Sequence, residues 1–449
     1  MTAIVPPGPA RHVVRGGELG HDSASGFRAW TGVAVLLLLN VVALLDRQII
    51  SLLVGPIKAD LGISNAQIGL LQGFAFALLY CFAAIPIGWA VDRISRRLVI
   101  FVGVFVWGLA TVASGLAQSF GALLAARILV GLGEAALAPA AFSILSDLFD
   151  RHRLGLVLSI YSMGSVLGAA CALAIGTIAT ATLKDGIDLP LVGQLAVWQS
   201  VLVVVGAPGL LLAFLVFAMP EPSRRLGRQE EADFAALGRF ARHNARFLAG
   251  HMAGFGFLIA IAYGTLAWLP TIMQRSFGLS LGATGATLAS IIAVTGIGGN
   301  LLNGALVDRL FARGHTDAHL CYYAGASIAV AVFAGGSLLA GSAVSFLILF
   351  VPVMLFANLY GVAAAAIQIA TPARLRGKMS AIYLLVINLF GMIVGPSGVA
   401  LVGDYLVGSE HLNLALGGLA VILAVLAAVS FKSGLAPMRR AVADADGRC

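Results

Sequence analysis

The stretch Gly88-Trp89-Ala90-Val91-Asp92-Arg93-Ile94-Ser95-Arg96-Arg97 closes one long apolar run, and Gly304-Ala305-Leu306-Val307-Asp308-Arg309 closes another 216 residues later. A single Gly-x-x-x-Asp-Arg says little, because any turn between apolar segments tends to hold a glycine and an arginine. Its return at the matching place says more. A second echo, Ile160-Tyr161 and Ile382-Tyr383, has an offset of 222 residues, and each copy follows a basic turn. Two echoes at nearly one offset indicate two parallel half-repeats.

The apolar runs around these motifs are long. No Asp, Glu, Lys or Arg occurs between Leu320 and Ala373, and Ser276 to Val307, Leu154 to Leu183 and Ala66 to Val91 are equally bare. A helix needs about 20 such residues to span a bilayer. Of the 449 residues 60% are hydrophobic and 11% charged, against roughly 25% charged in soluble domains. The 54 glycines and 15 prolines are tolerable where neighbouring helices satisfy freed backbone groups. The net charge of +8 lies in short clusters between apolar runs with no aromatic-basic stripe, which argues against a nucleic-acid partner and for topology signals. Cys81, Cys171, Cys321 and Cys449 show no metal-ligand or disulfide spacing. Neither a metal nor a cofactor is called for.

Counting runs between charge clusters predicts an all-α integral membrane protein of twelve spans, near 30–55, 66–91, 98–118, 121–147, 153–182, 196–218, 248–273, 282–307, 319–340, 344–371, 377–404 and 412–432. With both termini cytosolic, 23 of the 28 Lys and Arg residues fall inside, as the positive-inside rule asks; Lys58, Lys184 and Arg275 fall outside, and Arg47 and Arg127 within spans. The organisation expected is a cytosolic tail over 1–28, continuing into a full span without a cleavage pattern, a six-helix bundle over 29–219, and a basic linker over 220–246 with room for a surface helix. A second bundle over 247–432 and a tail over 433–449 complete it.

Four charges lie well inside spans: Asp46 and Arg47 in the first, Arg127 and Glu134 in the fourth. Each costs roughly 2.5 to 3.5 kcal/mol or more at the bilayer centre, so such residues face a cavity and usually work there. Arg127 and Glu134, about two turns apart, share a helix face with heads roughly 10 Å apart. Asp46 and Arg47 point about 100° apart, so one can meet the fourth span while the other faces a different neighbour or water. Glu134 has an arginine only on its own helix. An acid in a cavity opening alternately to either side can bind and release a proton, which makes Asp46 and Glu134 the proton-coupling candidates and Arg47, Arg127 and Glu134 substrate-binding ones. The alternative is a permanent ion-pair network fixing the two helices.

Spans of the second half carry no buried formal charge. Their polar groups include Asn300, Asn303, Asn358, Tyr360, Gln368, Tyr383 and Asn388, of which Tyr360, Asn358, Tyr383 and Asn388 are candidate substrate contacts, though such groups are often helix-packing bonds. A charged wall facing an apolar, aromatic one suits an amphipathic anion. His251, near the start of the seventh span, reads as an interfacial residue. At the turn after the second span Asp92 can latch onto a facing helix N-terminus while arginines reach acids such as Asp147, so Asp92, Arg93, Arg96, Arg97, Asp147, Asp308 and Arg309 are gating candidates; for the arginines the alternative is a topology signal alone.

Gly88-x-x-x-Asp92-Arg93-x-x-Arg96-Arg97 resembles the signature loop of the major facilitator superfamily, and Asp308-Arg309-x-x-x-Arg313 its degenerate copy. Within that superfamily Leu45-Asp46-Arg47-Gln48, Arg127-x6-Glu134 with Gly131, Gly133 and Pro139, and Gly395-Pro396 resemble the spinster family over nearly the whole chain. The resemblance implies the twelve-helix facilitator fold, its halves related by a pseudo-two-fold axis, and a lysolipid or sphingoid-phosphate substrate. It also implies a polar core of Asp46, Arg127 and Glu134 that carries the proton. The fifth span departs from the drug-antiporter pattern: it has Gly164 and Gly168 but no proline.

The competing substrates are a small organic anion, a sugar acid or a drug, because one fold serves many functions. A membrane enzyme needs a nucleophile, metal cluster or paired acids near the interface, none of which stands out, and a receptor of this fold is expected to carry a soluble output domain. The partners expected are the substrate, protons and the bilayer, with a monomer as the assembly. Arginine outnumbers lysine 24 to 4, which points to a bacterial inner membrane.

Overall fold

The computed structural model describes residues 23–149, 151–183, 185–190, 192–222, 234–372 and 375–446. Lys184, most of the expected N-terminal tail, linker residues 223–233 with Arg224, Arg225 and Arg228, and the last three residues lie outside them. Among the described residues, twelve helices are long and apolar enough to cross a membrane.

Local sequence sets their ends. Ser64, Ser119, Ser280 and Ser342 each accept a first-turn amide at the N-cap of the second, fourth, eighth and tenth spans, satisfying a donor the helix leaves free. The first helix, Ser23–Leu61, stops at Gly62 (φ +64°), a left-handed cap that glycine adopts without a Cβ penalty. Several spans are interrupted, the fourth and sixth among them. The second runs Asn65–Gly69, a wide π turn at Leu70–Phe74, then Ala75–Arg93. The tenth breaks between Ala343–Phe356 and Tyr360–Ala370. The eleventh, Arg376–Val402, passes into a π turn at Gly403–Val407 and ends at Gly408 (φ +94°).

The last span continues as helix past 432, the expected end of the second bundle. Its helix runs unbroken over Leu412–Asp446, because Met438, Ala441 and Val442 are buried against the bundle and Arg439 Nε bonds Asp317 Oδ2 at 2.7 Å. The linker helix spans Phe234–His243 and buries Ala236, Leu237 and Phe240.

Asp92 and Asp308 close the second and eighth spans at one end of the bundle, and the halves meet at the other. There Asp404 of the eleventh span caps the start of the second: Ala66 N donates to Oδ2 at 2.7 Å and Asn65 Nδ2 to Oδ1 at 2.8 Å. Lys58 bonds Asn65 Oδ1, and Ser397 Oγ donates to Gly69 O at 3.3 Å. A Cβ on Gly69 would lie 2.8 Å from that of Ala400, so the two helices touch backbone to backbone. Toward the opposite end Gly88, Gly304 and Gly377 face open space. Among the described residues the hydrogen bonds between the transmembrane halves all lie at the Asp404 end, while Asp92, Asp308 and Arg309 are exposed, so the halves part toward the Asp92 end.

Asp404 supplies the charge-assisted bonds of the closed end. Asp404→Ala is expected to raise the maleimide labelling rate of a cysteine placed at Ser397 by roughly tenfold, the worth of one such bond. An unchanged rate assigns closure to helix packing alone.

Candidate functional site

The fourth span is assembled from Phe120–Glu134 and Leu137–Leu148, and its glycines decide how closely it is approached. A Cβ on Gly131 would lie 2.3 Å from the carbonyl oxygen of Phe76 in the second span, and one on Gly133 would lie 2.6 Å from the carbonyl oxygen of Gly103 in the third. Only glycine permits both contacts. The fourth span is thereby held flush, and Arg127 and Glu134 reach the first.

Two ion pairs cross between those helices. Arg47 Nη2 donates to Glu134 Oε2 at 2.6 Å, and Arg127 Nη1 lies 3.6 Å from Asp46 Oδ2. Thr111 Oγ1 of the third span donates to the same Asp46 oxygen at 2.8 Å. Asp46, Arg127 and Glu134 side chains are each 2% exposed, whereas Arg47 is 19% exposed, so solvent reaches the cluster through Arg47. Its guanidinium sits 4.1 Å from the ring centroid of Phe76 and 5.3 Å from that of Tyr80, a flat seat suited to a delocalised cation. Asp46 Oδ1 and Glu134 Oε1 have no hydrogen-bond partner among the described residues.

This arrangement corrects two expectations. Glu134 is not limited to the arginine of its own helix, and Asp46 and Arg47 both meet the fourth span rather than only one of them, while Asp46 also touches Thr111 of the third span and Arg47 the Phe76 and Tyr80 rings of the second. Adjacent positions diverging about 100° straddle the facing helix, so each meets one of its charges, two turns apart.

On the other half, Tyr263 Oη donates to Asn388 Oδ1 at 2.8 Å and Tyr360 Oη donates to the same oxygen at 3.0 Å. Tyr263 was not singled out from sequence; it faces Arg47 across a recess lined also by Gln48, Ser51, Gln72, Met392 and Pro396. A neighbouring recess, lined by Leu173, Leu266, Leu269, Leu288, Ile292 and Met354, shares Gln48 and Ser51 with it and is almost wholly apolar.

Asn358 and Tyr383 do not join this group. Asn358 Nδ2 donates to the carbonyls of Thr295 and Met354, and its own carbonyl accepts from Asn303 and Tyr323, so it mends the break in the tenth span. Tyr383 is buried and donates to Tyr360 O at 3.4 Å. His251 is not interfacial: it is fully buried, packs edge-on to Phe255 and Tyr383, and places Nε2 2.9 Å from Ala363 O. Its place five residues after Arg246, near the expected start of the span, obscured this in the sequence.

The gating candidates fall in two groups. Arg96 is buried and bonds Asp147 at 2.5 Å and Ser143 Oγ at 3.1 Å, joining the third and fourth spans within one half. Arg97 Nε donates to Glu221 Oε2 at 3.1 Å. Asp92, Asp308 and Arg309 are exposed at the open end, and Arg93 lies over the Trp89 ring at 4.3 Å. The latch imagined for Asp92 is not engaged in this conformation. Glu221, between Pro220 and Pro222, is an unforeseen partner that also accepts from Ser95 Oγ at 2.5 Å and Arg96 N at 2.7 Å.

The chain matches the Major Facilitator Superfamily over residues 36–396. It belongs to that superfamily. This facilitator is a multi-pass membrane transporter, not an enzyme. It is 28% identical over 426 residues to an MFS-type efflux pump of Mycolicibacterium smegmatis, covering 92% of this chain and 94% of the pump. With a probable L-galactonate transporter of Escherichia coli it shares 28% identity over 300 residues, 63% of this chain and 62% of the relative. Its fold is that of a bacterial homolog of the human lysosomal transporter spinster in an inward-facing, unoccupied conformation, at a TM-score of 0.74, with 24% identity, 93% of this chain and 97% of that one covered.

Burial tends to raise the Glu221 carboxyl, but bonds from Ser95, the Arg96 amide and Arg97 outweigh it and hold the group below the ordinary value of 4.5. Its contribution is thus complete above pH 4.5 and lost as the pH falls through the lower folded value. Glu221→Gln is expected to melt below wild type at pH 7, with the gap closing below pH 4.5. A gap that is independent of pH would mean that the charge is not what docks the linker.

Proposed function

We propose that this facilitator carries an amphipathic anion of the lysophospholipid or sphingoid-phosphate kind by alternating access, together with a proton held at Glu134. The observation that supports the reading is the Arg47–Glu134 pair: the one cation of the cluster that solvent reaches already holds an internal carboxylate. An incoming anionic head takes Arg47 by displacing Glu134. The released carboxylate is then buried without a counter-charge, a cost that binding a proton removes. Asp46 and Arg127, sealed and mutually paired, keep the two helices in register while this happens.

The recess next to Gln48, between Leu173 and Met354, is narrow in this conformation, but its apolar lining is the chemistry a hydrocarbon tail meets once it widens. On the orientation expected from the Lys and Arg distribution the open end is cytosolic, which makes this conformation inward-facing in an inner membrane. Asp92 and Asp308 are then positioned to draw that end together in the opposite state, with Arg96–Asp147 stiffening the N-terminal half.

A second reading, a sugar acid, is favoured by the Tyr263–Tyr360–Asn388 group, whose hydroxyls and amide face Arg47 and match a polyol chain, and by the L-galactonate relative. Liposomes holding wild type or Glu134→Gln, tested with labelled lysophospholipid and labelled galactonate with and without a pH gradient, separate the readings. The expected result is gradient-dependent lysolipid uptake by wild type alone. Gradient-dependent galactonate uptake instead transfers the mechanism to a sugar acid, and uptake indifferent to both gradient and variant removes the proton from the mechanism.

A further inference from the structure

The linker helix, the first turn of the seventh span and the extended end of the twelfth enclose a pocket outside the transport cavity. The seventh span is the helix Ala245–Arg275. Its walls carry Arg242 and Arg246 from the linker and seventh span and Arg440 from the twelfth, with Phe247 and Pro437 among its apolar groups and Asp444 as its carboxylate. Three arginines and one acid therefore line it. That acid is partly committed, since Asp444 Oδ2 lies 3.3 Å from His243 Nε2. No hydrogen bond or ion pair engages Arg242, Arg246 or Arg440 among the described residues, although each is within a side chain's length of the same hollow.

The walls are fixed by packing. A Cβ on Gly250 would lie 3.0 Å from Gly434 Cα, so the seventh and twelfth spans touch backbone to backbone near the pocket. The Arg439–Asp317 bond at 2.7 Å, with Asp317 only 3% exposed, holds the helical extension that presents Arg440. Asn244, at the N-cap of the seventh span, turns its side chain back to Phe240 O at 3.1 Å rather than capping the helix. Three like charges converging on a preformed hollow repel one another, and an anion removes that cost.

We propose that this pocket binds the phosphate of an anionic bilayer phospholipid. The level is right for a headgroup: the unbroken apolar run of the seventh span begins at Phe247, just after Arg246, and the twelfth leaves its apolar run near Lys432. The guanidinium groups suit phosphodiester oxygens, and Ala245 and Pro437 offer the glycerol an apolar edge. The amphipathic linker helix, its Ala236, Leu237 and Phe240 face buried, is thereby pinned at the membrane surface. The bound lipid is a structural partner, separate from any cargo beside Arg47.

The test is thermal melting of the purified full chain in a neutral detergent with added phosphatidylglycerol, phosphatidylcholine or inorganic phosphate. Phosphatidylglycerol is expected to raise the melting temperature of wild type by several degrees, with no shift from the other two. The shift should be lost in Arg242→Gln/Arg246→Gln/Arg440→Gln, weakened in Arg440→Gln alone, and kept in Arg47→Gln and in the surface control Arg313→Gln. Arg440→Gln alone decides the matter if the triple variant fails to fold. A full shift in the Arg440 variants, an equal shift from phosphatidylcholine, or no shift in wild type overturns the proposal. An arginine-dependent shift from inorganic phosphate overturns the lipid as its source, and loss of the shift in Arg47→Gln places the lipid in the transport cavity instead.

Discussion

Everything in the N-terminal half is arranged around two opposite charge pairs held where a bilayer tolerates none unpaired. Breaking a buried pair by removing one member typically costs about 3–5 kcal/mol, so Arg47–Glu134 and Arg127–Asp46 oblige the first and fourth spans to stay together. On the proposed mechanism their difference in exposure gives them different work. The sealed pair can only be structural while it stays dry; the pair that solvent reaches at Arg47 can exchange its internal anion for an external one.

Close approach makes that possible. Gly131 and Gly133 bring the second and third spans against the fourth at backbone distance, and Gly391 and Gly395 do the same for the eleventh against the seventh near Ile259 and Ala260. Each half becomes a stiff body. The halves then meet where Asp404 caps the second span and Gly69 and Gly73 press against Pro396 and Met392 of the eleventh, and both of these spans carry π turns beside that contact, at Leu70–Phe74 and Gly403–Val407. Wide turns often mark places where a helix adjusts, and here they sit where one half must pivot on the other. The break in the tenth span is different: Asn303, Asn358, Tyr322 and Tyr323 tie its freed carbonyls and each other together.

Much of this was legible in the sequence because membranes impose simple rules. Charge-free runs gave the number and order of the spans, the Asp92 and Asp308 echoes gave the halves, and the cost of burial singled out Asp46, Arg47, Arg127 and Glu134. What stayed hidden was the third dimension. Helical phase shows that Asp46 and Arg47 diverge, but not that both straddle one neighbour. Tyr263 and Glu221 carry no periodic signal, and Tyr383 and Asn358 look identical to ligands until their partners are known. The helical extension to Asp446 escaped because a polar segment after an apolar run reads as a tail when the groups it packs on are out of view.

The account rests on the exchange at Arg47, and proton uptake on anion binding measures it directly. Substrate added to purified protein in weakly buffered solution with a pH dye should draw close to one proton per anion bound in wild type and none in Glu134→Gln. Binding without proton uptake in wild type, or equal uptake by both proteins, would contradict it.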